Sequence, residues 1–294
     1  MPSISAVRIA NSKYTSTNIP VAIFVGGTSG IGRATAEAFA RYTKGNAHII
    51  LVGRNAIAAE AVLASFPNPQ TSDSRWKHEF VQCDASLLQN VHATLTALAP
   101  RIPRVNYLVL SAGYFSLAGG ENTAEGLDRK LVLNYYSRWA FISGLLPALR
   151  RAHNSGEDAS VMTVLAAGQG SKVNLEDLGL GGKATGPTSI AATYTDLMIE
   201  EFATRNTGIV FTHTYPGFVN TPLFSFEHWG ARLLAPLTRL ALFFLAKTPA
   251  DAAEYQLYGL LQSKAGAHRR GEYGDEICSQ PVWTHTENVV SARV

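Results

Sequence analysis

Cysteine is scarce in this chain: 294 residues hold two, Cys83 and Cys278, with no Cys-x-x-Cys and no Cys/His cluster. Two thiols cannot staple a chain this long, so a disulfide scaffold is excluded and a reducing compartment is the simpler expectation. Charge is thin as well. Charged residues make up 16%, and 25 basic against 22 acidic side chains leave a formal net charge of +3. No run of five Lys/Arg occurs, so a nucleic-acid partner is not expected. Long hydrophobic runs are also missing. The most apolar stretch, Leu233 to Ala246, spans about 14 residues and is broken by Pro236, Thr238 and Arg239, where a membrane helix needs roughly 20. The first 18 residues form a polar extension without an apolar leader, and the chain reads as cytoplasmic. With 46% hydrophobic residues, disorder is excluded for the chain as a whole.

What is present is a rhythm. Apolar, β-branched runs stand at Val21–Val25, His48–Val52, Glu79–Cys83, Tyr107–Ser111, Val161–Leu165 and Ile209–Tyr215, with a late candidate around Tyr273–Ile277. AIFV, IILV and YLVL are continuously apolar, as strands buried on both faces of a parallel sheet are. Between them lie helix-length segments, Ile31–Tyr42, Leu87–Leu98, Leu127–Arg151 and Thr188–Thr204. In the third, Leu131, Tyr135, Ile142, Leu145, Leu146 and Leu149 recur at 3–4 spacing and form one apolar stripe. The alternation predicts an α/β fold: one domain over residues 19–294, Rossmann-like, with a doubly wound parallel sheet of about seven strands. A loop at 66–78 and a glycine-rich one at 168–188 break the rhythm. The second follows the fifth strand and belongs beside the ligand crevice.

The first strand runs into Gly26-Gly-Thr28-Ser29-Gly30-Ile31-Gly32-Arg33 and then a helix. Glycines there let backbone approach a pyrophosphate, helix N–H groups and the macrodipole favour the anion, and Thr28 and Ser29 add hydroxyl donors. From Val21 to Ile277 the chain resembles the short-chain dehydrogenase/reductase family. GGTSGIG is similar to its cofactor fingerprint, and Asp84 in QCDAS stands where the family places an acid near the adenine. Ser111-Ala112-Gly113 resembles the family's N-A-G, with Ser for Asn. Asn134 in LVLNYY matches its helix Asn, and Pro216-Gly217-Phe218-Val219-Asn220-Thr221 resembles the segment that closes over the nicotinamide. The resemblance implies a nicotinamide coenzyme.

The second strand ends in Gly53-Arg54-Asn55, with no acid before Glu60. An NAD site wants a carboxylate there for the ribose hydroxyls, whereas Arg54, with Arg33 as a second charge, suits a 2′-phosphate. NADP(H) is therefore expected. The acid–base machinery that the resemblance implies is another matter. The family's Tyr-x-x-x-Lys would fall at Ala184 and Thr188, and its Ser at Leu165 or Ala166; no Tyr occurs between 137 and 193. Tyr194 has Met198 four residues on, and Lys183 has Gly179 four residues before it. Asn134, Thr163 as the nearest strand hydroxyl, and Lys183 remain the catalytic candidates.

After Thr221 comes an apolar flap, around 222–247, with Phe224, Phe226, Trp229, Leu233, Leu237, Phe243 and Phe244. Such a surface suits a greasy small molecule such as a terpenoid, polyketide or lipid, the substrates of secondary metabolism. Packing on the core or on a second subunit, as a homo-oligomer, is the alternative, and contact with a membrane surface a weaker one. Three function classes stay open: an NADP(H)-dependent oxidoreductase with an atypical site, a non-redox cyclase or isomerase on the same scaffold, and an NADP(H)-sensing binding protein.

Overall fold

A computed structural model of the chain describes residues 2–69, 76–113, 121–179, 187–221, 246–268 and 276–293. The apolar runs become strands: β1 (Val21–Val25), β2 (His48–Gly53), β3 (Lys77–Gln82), β4 (Tyr107–Leu110), β5 (Ser160–Val164), β6 (Val210–Thr214) and β7 (Gly266–His268). They pair in the order β3-β2-β1-β4-β5-β6-β7. Every pairing between neighbouring strands is parallel. The order reverses at β1, so a crevice opens at the carboxyl ends of β1 and β4, where doubly wound sheets take their ligands.

Alternation sends neighbouring strand residues to opposite faces. Ile23, Val25, Ile50, Val52, Leu108 and Leu110 enter one core. Ala22, Phe24, Ile49, Leu51, Tyr107 and Val109 enter the other. Both cores need helical covers, and the chain supplies α1 (Ile4–Ser12), α2 (Gly30–Tyr42), α3 (Ala56–Ala64), α4 (Leu88–Leu98), α5 (Arg129–Leu131), α6 (Ser137–Asn154), α7 (Pro187–Arg205), α8 (Pro249–Gln262) and α9 (Glu276–Ser291). The stripe read at 131–149 is buried at Leu131, Tyr135, Ile142, Leu145 and Leu149. Its helix is not continuous, however. Residues Val132–Tyr136 form a π-turn between α5 and α6, an irregularity frequent at functional sites.

One reading needs correction. Among the described residues the last strand is Gly266–His268, and Glu276 and Ile277, within the late strand candidate, open α9 instead. The segment is short and carries no β-branched run beyond Ile277, so tertiary packing decides its state. Residues 4–12, inside the polar extension, form a helix. Asn11 on α1 donates to the Glu254 carboxylate of α8 at 2.8 Å, and Arg41 at the end of α2 pairs with the same carboxylate at 2.7 Å. Buried Glu254 thus ties α1 and α2 to α8.

Candidate functional site

β1 ends in a turn that only glycine fits. Gly26 has φ 85°, a conformation that costs other residues, and a Cβ there would lie 2.5 Å from the Ala112 nitrogen. Gly32 sits on the first turn of α2, where a Cβ would meet Ser111 Oγ at 2.1 Å and the Gly26 carbonyl at 2.5 Å. These two glycines let the turn, helix and end of β4 pack in contact. Ser111 Oγ donates to the Val25 carbonyl, 3.1 Å away, and so joins the ends of β1 and β4. Gly30, φ 54°, faces Thr221. Ser29 occupies the N-cap of α2 but makes no capping bond with its side chain, and Ile31 packs against the second core. The helix start therefore points its N–H groups at the turn, as an anion site requires.

On the far side of the turn, Thr28 lies against Gly53 at the end of β2. Arg54 follows, exposed; Asn55 is spent on capping α3, accepting from the Ala58 nitrogen at 3.0 Å. Arg33 pairs with Glu37 at 2.7 Å, which offsets the second charge that the sequence offered. Asp84 accepts from the Ser86 amide and hydroxyl, at 3.0 and 2.7 Å, and so shapes the loop after β3. The segment Pro216–Thr221 turns at Gly217, φ 76°, and is held by Lys247. The Lys247 amide donates to the Phe218 carbonyl and its own carbonyl accepts from the Asn220 amide, while Val219 is buried. The flap at 222–245 lies outside the described residues.

Among the catalytic candidates, Asn134 is buried in the π-turn, and its Oδ1 stands 3.2 Å from where a Cβ on Gly113 would be. Thr163 is fully buried under the crevice and its hydroxyl accepts from Arg138. Lys183 lies outside the described residues. Tyr194 is fully buried; its hydroxyl donates to the Leu178 carbonyl at 3.2 Å and its ring abuts Tyr135.

Sequence reasoning missed two buried groups beneath the crevice. Arg138 on α6 donates to the Ala112 carbonyl at 2.8 Å, the Val164 carbonyl at 3.0 Å and the Thr163 hydroxyl, bridging the ends of β4 and β5. Burial lowers its pKa to about 9. His213 on β6 takes the Asp196 carboxylate of α7 on Nδ1 at 2.6 Å, and its Nε2 accepts from the Ala166 amide at 3.3 Å. Asp196 also accepts from the Gly168 amide at 3.2 Å. The pair pins the turn after β5, where the family's Ser would stand. A lone Arg in LVLNYYSRWAF and a His in the core strand VFTHT were the available signals.

A family profile described as short chain dehydrogenase matches residues 20–168. The chain is 35% identical to oxidoreductase andH of Emericella variicolor over 290 residues, 95% of this chain and 83% of that protein. It is 26% identical to the human polyprenol dehydrogenase over 245 residues, 81% of this chain and 71% of that one. Among solved structures, a 3-ketoacyl-(acyl-carrier-protein) reductase from Brucella melitensis complexed with NADH superposes with TM-score 0.57 at 20% identity, covering 86% of this chain and 97% of that one. The chain belongs to the short-chain dehydrogenase family of oxidoreductases.

Proposed function

We propose that this chain is an NADP(H)-dependent oxidoreductase of short-chain type that acts on an apolar small molecule with altered acid–base machinery. The observation that carries the coenzyme reading is the cradle at Gly26–Gly32. Its glycines bring the turn against the end of β4, and the start of α2 carries no side-chain cap that would compete for an anion. A bound nicotinamide would supply the hydride chemistry; the chain's residues supply its seat. Gly26, Thr28, Ser29, Gly30, Ile31 and Gly32 would take the pyrophosphate, Asp84 would border the adenine, and Ser111, Ala112, Gly113 and Pro216–Thr221 would border the nicotinamide end.

Preference for the 2′-phosphate rests on Arg54, exposed at the end of β2 where an NAD site would place a carboxylate. The altered acid–base reading rests on the sequence itself, which has no Tyr between 137 and 193. Of the family's catalytic residues Asn134 is kept, while Thr163 is buried with its hydroxyl accepting from Arg138. An apolar substrate is supported by the composition of the flap and by the isoprenoid alcohol in the name of the human relative.

Calorimetry with NADPH and NADH tests the reading. NADPH should bind roughly 10- to 150-fold more tightly, the worth of a charge-assisted phosphate contact of about 1.5–3 kcal/mol. Arg54→Ala should erase most of that gap. Equal affinities in the wild type, or a gap that survives the substitution, would reject it.

A further inference from the structure

Arg138 is an unusual residue for its place. Its side chain is 2% exposed, and among the described residues no carboxylate forms an ion pair with it. Its three acceptors are neutral: two strand-end carbonyls and the Thr163 hydroxyl. Its Nε has no hydrogen-bond partner. A buried charge without a counter-charge is costly, and a long apolar side chain would fill the same space at less expense. The fold keeps the cation nonetheless.

Its position suggests why. The sheet order reverses at β1, so a dinucleotide laid across the crevice puts its adenosine half over β2 and β3 and its other half over β4 and β5. Arg138 bridges the ends of β4 and β5 directly beneath that second half. Nη2 lies 3.8 Å from where a Cβ on Gly113 would be, a glycine in the strip expected to border the nicotinamide. An oxidised nicotinamide ring carries a positive charge and a reduced ring does not.

We propose that Arg138 makes the crevice favour the reduced, uncharged nicotinamide over the oxidised, cationic one. The residue is a positioning and electrostatic group, not one that touches the reacting atoms. The inference rests on the coenzyme reading given above and adds a direction to it: the resting protein holds reduced coenzyme, as a reductase does.

The test is binding, with no turnover needed. Dissociation constants are measured for NADPH, NADP+ and 2′-phospho-ADP-ribose, which lacks the nicotinamide, on wild type, Arg138→Gln and Arg138→Lys. Wild type should bind NADPH on the order of tenfold or more tightly than NADP+, the scale of a unit charge acting across several ångströms of protein. In Arg138→Gln that ratio should fall toward one while affinity for the nicotinamide-free fragment stays put, and Arg138→Lys should keep the ratio. Arg138→Met serves as the second neutral variant if the glutamine does not fold. A wild-type ratio near one overturns the proposal, as does a ratio that survives either neutral variant. Equal loss of all three ligands in a neutral variant would reduce Arg138 to a structural tie. Failure of wild type to bind any of the three would overturn the coenzyme reading itself.

Discussion

At the scale of single residues, chemistry is decided by where a group points. Tyr194 has a phenol, but the phenol is buried, faces the Leu178 carbonyl and packs against Tyr135. Tyr194→Phe should leave turnover near wild type and cost about 1 kcal/mol of stability, the net worth of one buried hydrogen bond. Steady-state kinetics and urea unfolding check both halves. A collapse of turnover with stability intact would place Tyr194 at the reacting centre. Gly32 is read differently once its neighbours are seen. A side chain there runs into Ser111 Oγ and the Gly26 carbonyl, so it is a packing requirement of the turn as well as a line in a fingerprint. The fingerprint was legible because glycine at those positions is a backbone necessity. Arg138 and His213 were not, because their importance lies in partners 26 and 17 residues away along the chain. A single polar residue in an apolar run says nothing by itself about which carbonyl or carboxylate it will meet.

Elements were legible in proportion to their burial. Strands β1, β4 and β5 are buried almost throughout, and their largely apolar runs mark them within a residue. The π-turn escaped because its apolar residues keep near-helical spacing on both sides of the extra residue. β7 escaped because Gly266–His268 carries no apolar run at all. Strand β3 shows what a half-buried edge brings with it. Burial works against the Glu79 carboxylate there, but Lys77, His48 and Arg101 outweigh it and hold its pKa below the usual value. On the same strand burial lowers the pKa of His78, whose ring abuts Phe66 and Trp76. A histidine whose folded pKa lies below its unfolded one contributes stability that is fully present above the unfolded value near 6.5 and is lost as pH falls toward the folded one. Stability should therefore decline as pH falls below about 6.5, and His285, whose pKa burial also lowers, adds to the same slope. His78→Phe should make that slope shallower, with His285 supplying the remainder, and leave the loss at lower pH, where Glu79 takes up its proton, in place. Chemical denaturation at closely spaced pH values reads the slope, and an unchanged slope in the variant would remove His78 from the account.

At the scale of the whole molecule, the site depends on an element far from it in sequence. Helix α9 lies against α7 and the π-turn, and its Trp283 fills the space between Trp139 of α6 and Phe202 of α7, with ring centroids 5.5 and 4.8 Å apart. Arg205 stacks on the same indole at 4.4 Å. Beside it Tyr136 meets His285 Nε2 at 2.8 Å and Tyr135 meets Thr286 at 2.8 Å, so the π-turn carrying Asn134 is braced from behind by α9. The geometry of the crevice floor is thus a property of the folded chain up to residue 291, well beyond the residues that match the family profile. Trp283→Ala should cost about 3–5 kcal/mol, the range for removing a large buried aromatic and leaving a cavity. Because the brace bears on the π-turn, the loss should reach the coenzyme's nicotinamide end and spare the phosphate turn. Folded Trp283→Ala protein, measured at low temperature, should bind 2′-phospho-ADP-ribose as wild type does and NADPH more weakly. An equal weakening of both ligands would show that α9 supports the sheet as a whole and has no particular hold on the crevice.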